Sequence, residues 1–157
     1  MTDRNEVIGR EPLFFDDLHV GQRFTSGKHE IDAEQIAAFA RQFDPQPFHL
    51  DGEAAKHTFF GELVASGWHT AAVTMRLLVE GGAPLAGGII GAGAEISWPS
   101  PARPGDVLHV ESEILELRPS KSRPDNGIVT IRGETRNQRG EIVQVLVAKL
   151  VVPRARN

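Results

Sequence analysis

Asp44 and His49 stand five residues apart in the run Phe43-Asp44-Pro45-Gln46-Pro47-Phe48-His49. Pro45 and Pro47 fix φ at their positions and stiffen the segment. A carboxylate and an imidazole held on a rigid bend can share one water or one substrate proton, which is the geometry general acid–base catalysis needs. The same spacing fits an Asp-Pro turn and a surface or core histidine. Ser66-Gly67 is the second candidate. Ser66 suits the N-cap of a helix, and the free N–H groups of a first turn can hold a carbonyl oxygen that becomes negative during reaction. Glycine there lets a ligand approach the backbone, although plain capping and close packing explain the pair as well.

Other chemistries are excluded by type or spacing. The chain has no cysteine and no tyrosine, so no thiol nucleophile, thiolate metal site, disulfide or phenol acid is possible. His19, His29, His57, His69 and His109 form no metal-ligand pair at helical spacing, and no HExxH occurs. No metal and no cofactor are expected. The glycines at 87–93 match neither GxGxxG nor GxxxxGK[ST], and without a GxSxG elbow Ser66 is a poor nucleophile. Arg118, Lys121 and Arg123 sit in a polar connection at 118–127. They could meet phosphates, but a solvated hairpin tip is the simpler reading.

The elements that must position these groups follow from periodicity. Asp32 is an N-cap with Gln35 as a capping-box partner, and Ile36, Phe39, Ala40 and Phe43 recur at helical spacing. Pro45 ends that helix and leaves Asp44 just past it. A second helix at 68–79 is apolar on most of its surface, which predicts burial, and Gly81-Gly82 stops it. Strands are expected at 24–31, 89–98, 107–117, 128–137 and 141–152. The short turns between the late ones imply antiparallel pairing. The last strand is apolar at nearly every position, so both its faces should be covered. The pattern is α+β, one curved antiparallel sheet around one long helix. A doubly wound parallel fold would alternate strands with helices, and this chain does not.

With 157 residues and a net charge of −4, the chain reads as one domain at 12–153, an arm at 1–11 and a polar tail at 154–157. The acidic balance speaks against nucleic acid. No signal-like or membrane-spanning run occurs, so a cytoplasmic protein with no membrane partner is expected.

Three segments together carry a family resemblance. Residues 43–49 resemble the hydratase motif of MaoC-like dehydratases and (R)-specific enoyl-CoA hydratases, whose pattern is Asp, any residue, Asn, Pro, an apolar residue, His. Residues 60–70, Phe60-Gly61-Glu62-Leu63-Val64-Ala65-Ser66-Gly67-Trp68-His69-Thr70, resemble the family's approach to its central helix. Residues 98–106, Trp98-Pro99-Ser100-Pro101-Ala102-Arg103-Pro104-Gly105-Asp106, resemble its Pro-rich turn ending in Gly-Asp. Order and distances agree over about 12–152. Gln46 departs from the pattern by standing where the family usually has Asn, and its extra methylene bears on substrate choice more than on the dyad.

The resemblance implies a hot-dog fold and reversible addition of water to a 2-enoyl-CoA, as in fatty acid metabolism. Asp44 and His49 would hold and activate the water, Gly67 N–H would polarise the thioester carbonyl, and Ser66 would shape the site. The CoA thioester would be the substrate and only small-molecule partner, and the chain would form a homodimer or larger homo-oligomer. The alternatives are a non-catalytic acyl-thioester-binding module, like nodulation-protein-N-like members, and a hot-dog thioesterase.

Overall fold

The computed structural model describes residues 10–155. Residues 1–9 of the expected arm and 156–157 of the expected tail lie outside the described residues. Arg10 donates to the carbonyls of Gly82 and Glu80. Asp16 accepts from the Arg154 guanidinium at 2.7 Å and from the Ala155 N–H at 3.1 Å.

Helix α1 spans Ala33–Phe43, with the Asp32 side chain accepting from Gln35 N–H at 2.8 Å. The capping box expected from Gln35 does not close. Its amide turns back to the preceding strand, donating to Glu30 O at 3.1 Å while its Oε1 meets His29 Nε2 at 2.8 Å. Asp44 is the C-cap, stopped by Pro45 as expected. Two single-turn helices follow, α2 Pro47–Leu50 and α3 Gly52–Ala55. They are too short to show periodicity. Pro47 starts α2 at a position where its missing N–H costs nothing, and the Asp51 side chain caps α3.

The long helix α4 spans Gly67–Gly81. Strands β1 Arg23–Glu30, β2 Gly91–Ser97, β3 Val107–Pro119, β4 Asn126–Arg136 and β5 Ile142–Pro153 form one sheet in the order β1-β3-β4-β5-β2, antiparallel throughout. This is the hot-dog arrangement, a curved sheet around one helix. Gly140 turns β4 into β5 at φ +80°, where L side chains are strained, and Asn137 Oδ1 accepts from the N–H groups of Arg139 and Glu141 to hold the turn. The Pro-rich turn is tied from within by buried Asp106, which accepts from Arg103 N–H at 2.9 Å and Gln138 Nε2 at 3.3 Å.

The inward side chains form two apolar clusters. Ile31, Ile36, Val73, Leu77, Leu108, Val110 and Val143 pack α1 and α4 onto the sheet at one end. Phe15, Leu18, Leu85, Ile114, Val129, Leu150 and Val152 fill the other. Between helix and sheet, next to the second cluster, small residues including Ser112, Gly133 and Ala148 leave an apolar cavity of about 360 Å³ bordered by Met75 and Leu78.

Two burial expectations are corrected. Helix α4 buries only part of its apolar surface, because the sheet covers one side; Trp68, Met75 and Val79 are exposed on the other. Strand β5 has one covered face. Gln144, Ala148, Leu150 and Val152 are buried, while Val145, Val147 and Val151 are half-buried and Lys149 is exposed.

Candidate active site

Three chain segments bring the site together at the N-terminal end of α4. The C-cap of α1 supplies Asp44, α2 supplies His49, and the N-cap of α4 supplies Ser66. The Pro45–Pro47 bend folds α2 back so that His49 Nε2 lies 3.3 Å from Asp44 Oδ2. Val64 N–H donates to Phe48 O at 3.0 Å, which lashes the 60–66 segment onto α2. His49 is buried, and its Nδ1 donates to the Val64 carbonyl at 2.7 Å. A carbonyl only accepts, so that bond puts a proton on Nδ1 and leaves Nε2 as the ring nitrogen that faces Asp44.

The carboxylate is held at both oxygens. Ser66 Oγ donates to Oδ2 at 2.7 Å and Gln46 Nε2 donates to Oδ1 at 2.6 Å. Partial burial pushes the Asp44 carboxyl up. The hydrogen bonds from Ser66 and Gln46, with the charge of His49, outweigh burial and leave it below the ordinary carboxylate value. Ser66 Oγ also accepts from Trp68 N–H at 3.3 Å, and Ser66 O accepts from the N–H groups of His69 and Thr70. Gly67 N–H, the first of the helix, has no acceptor among the described residues. A fixed carboxylate, an imidazole of defined tautomer and a free amide at a helix start can hold a water and polarise a carbonyl.

A model of the MaoC like domain matches residues 6–136. The chain belongs to the MaoC-like dehydratase family. A crystal structure of a MaoC-like dehydratase from Rhodospirillum rubrum superposes with a TM-score of 0.90 at 63% identity, covering 92% of this chain and 99% of that one. The 3-hydroxybutyryl-CoA dehydratase of Methylorubrum extorquens is 34% identical over 113 residues, 71% of this chain and 69% of the relative. The uncharacterized protein YdeM of Bacillus subtilis is 33% identical over 127 residues, 79% and 87% respectively.

In this MaoC-like chain all four residues singled out in the sequence, Asp44, His49, Ser66 and Gly67, meet at one place. Of the two reasons the sequence offers for the glycine, ligand approach and close packing, the structure shows close packing. A Cβ on Gly67 would lie 2.6 Å from Trp98 Cε2 and 2.8 Å from Cδ2 and Cζ2, so the indole rather than a ligand occupies that space. Three contributors escaped the sequence reading. Gln46 was noticed as a departure from the family pattern, but its bond to Asp44 depends on a two-residue reach that only the bend defines. The Val64 carbonyl has no side-chain signal. Trp98 carried one, being one of only two tryptophans and opening the Pro-rich turn.

Phe48 meets the His49 ring edge-on at 4.6 Å, and Phe39 stacks on His69 at 4.7 Å. His69 is buried with its Nδ1 unpartnered, and burial, with the nearby His29 and His49, lowers it to about 4. Among the described residues no cluster of three His, Asp or Glu side chains is placed to hold a metal. No helix among the described residues is long and apolar enough to cross a membrane. The hairpin carrying Lys121 and Arg123 joins β3 to β4 at the end of the sheet opposite the dyad. Within one chain it does not approach the site.

Proposed function

We propose that the chain is a hydro-lyase that adds water reversibly to a 2-enoyl-CoA, giving a 3-hydroxyacyl-CoA, without a cofactor. One observation carries this reading: Asp44 Oδ2 and His49 Nε2 face one another at 3.3 Å, with His49 Nδ1 committed to the Val64 carbonyl. A carboxylate oxygen and an imidazole nitrogen this close can hold one water beside them, with the water's protons turned to the two groups.

The chemistry follows from these groups. The thioester carbonyl accepts from Gly67 N–H, which draws electrons from the double bond and makes the β-carbon electrophilic. The water held by Asp44 and His49 attacks that carbon while its proton passes to His49 Nε2. The imidazolium is stabilised by Asp44, which remains a carboxylate because its acidity is raised by Ser66 and Gln46. The enolate collapses and its α-carbon takes the proton back from Nε2. One dyad on one face gives syn addition, and the net change is H to the α-carbon and OH to the β-carbon.

The family membership and the dehydratase relative support the substrate class. We place the protein in the cytoplasm as a homodimer or larger homo-oligomer. The exposed Trp68, Met75, Val79 and Ile90 and the unpaired outer edge of β2 favour self-association.

Product analysis tests the reading. Crotonyl-CoA incubated with the protein should gain the mass of one water with its thioester intact. Release of free CoA would instead mark a thioesterase. Saturable binding with no product across short, long and branched enoyl-CoAs would mark a binding module.

A further inference from the structure

Trp98 stands outside the dyad, yet four observations join it to the site. Its indole lies flat against Gly67, within 2.6–2.8 Å of where a Cβ would be. Its Nε1–H donates to Gln144 Oε1 at 3.0 Å. Gln144 is fully buried and its Nε2 donates to Thr74 Oγ1 at 3.2 Å, which in turn shares a 2.6 Å hydrogen bond with Thr135 Oγ1. Trp98 is also 38% exposed and meets exposed Trp68 edge-on at 5.3 Å. The indole is thus clamped by a buried polar chain that runs from β4 and β5 into α4. One part of it fills the space beside the first residue of the helix, and part of the ring remains open to solvent.

We infer that Trp98 is a positioning residue: it fixes the Gly67 N–H relative to the Asp44–His49 dyad and walls the space in which a planar thioester carbonyl accepts from that N–H. The inference rests on the hydratase reading for its kinetic consequence but not for its binding consequence. Indole atoms stand where a Gly67 side chain would be, so the ring blocks a shift of the helix start toward it. Losing it frees that start to move, and displacements of about 1 Å in a reacting geometry cost on the order of 10²-fold. The flat indole face also suits a flat conjugated acyl thioester better than a twisted one.

A rescue experiment tests this. Gly67→Ala forces either the indole or the helix start to move, and crotonyl-CoA hydration should fall by about 10²–10³-fold, the scale of losing one oxyanion donor. Trp98→Ala should lower kcat by roughly 10–10²-fold, with a smaller rise in KM and both limbs of the pH profile in place, because the dyad is untouched. The Gly67→Ala/Trp98→Ala double variant should exceed Gly67→Ala at least tenfold, since the clash is gone, a strong departure from additivity. Trp98→Phe, which keeps a ring but loses the Gln144 bond, should fall between wild type and Trp98→Ala. A double variant no faster than Gly67→Ala would overturn the inference. So would a Trp98→Ala loss confined to KM.

The second arm needs no turnover. With no tyrosine and two tryptophans in the chain, Trp68→Phe leaves Trp98 as the dominant fluorophore. Butyryl-CoA, which cannot be hydrated, should still change its emission saturably. Butyryl-CoA binding seen by calorimetry without an emission change would remove Trp98 from the site. A wild type that fails to hydrate crotonyl-CoA but shows the emission change would remove the hydratase reading and leave Trp98 in place.

Discussion

His49 Nδ1 donates to the carbonyl oxygen of Val64 at 2.7 Å, fifteen residues on in the chain. That bond decides which ring nitrogen can act. With Nδ1 committed as donor, Nε2 is the basic atom, and it is the one that faces Asp44 Oδ2. The ring nitrogen is fixed by a backbone carbonyl, and the Phe48 O and Val64 N–H pairing holds that carbonyl beside it. The orientation is therefore a property of the fold.

Asp44 depends on Ser66 and Gln46 for its acidity. The sign follows from its lowered value: the carboxylate persists until pH falls below the ordinary 3.8, so Asp44 loses its charge only there. Removing a donor lets burial raise the group. Ser66→Ala or Gln46→Ala should therefore move the titration of the Asp44 carboxylate upward, followed by NMR of its carboxyl carbon. Gln46→Asn, which keeps an amide donor, should move it least. A titration unmoved in both alanine variants would show that Asp44 is not the group these side chains tune.

His69 makes the fold sensitive to mild acid. Its value in the folded chain is lowered to about 4, whereas an unfolded histidine titrates near 6.5. Between those values the unfolded chain binds a proton that the folded chain refuses, so stability falls as pH drops from 6.5 to 4 and levels below that. The loss is at most about 3 kcal/mol for a shift of this size, and solvent reaching the ring reduces it. Asp44, depressed instead, contributes stability above 3.8 that is lost only as pH falls through its lower folded value. Unfolding midpoints followed from pH 7 to 4 should decline steeply in wild type and less in His69→Leu. Parallel curves would rule out His69 as the cause.

Gly127 provides a contrast far from the dyad. The ring of Phe15 packs directly on its Cα, leaving no room for a methyl group. Gly127→Ala should cost about 1–3 kcal/mol by overpacking, read as a lower urea midpoint with an unchanged m-value. Its kcat should match wild type while the protein is folded. A fall in kcat without a change in midpoint would mean that this end of the sheet communicates with the site.

Much of this architecture was legible because it rests on local signals. Asp32, Pro45 and Gly81-Gly82 mark the helix ends, and turns such as that at Gly140 mark antiparallel strands. The dyad was legible too, since two prolines and two reactive types within seven residues leave few geometries. What stayed hidden depends on long-range register. The Val64 carbonyl and the Trp98 indole reach the site only when the 60–66 segment lies on α2 and β2 lies beside β5. The exposed side of α4 was misjudged for a related reason. An apolar helix surface shows that something covers it, but not that this chain's own sheet does.

The most direct measurement is the turnover of crotonyl-CoA, followed as loss of the conjugated enoyl thioester absorbance, in wild type, Asp44→Asn and His49→Ala. Each variant should fold as wild type does and lose about two to four orders of magnitude in kcat, the range of acid–base contributions. Unchanged rates in both variants would contradict a shared water held between Asp44 and His49.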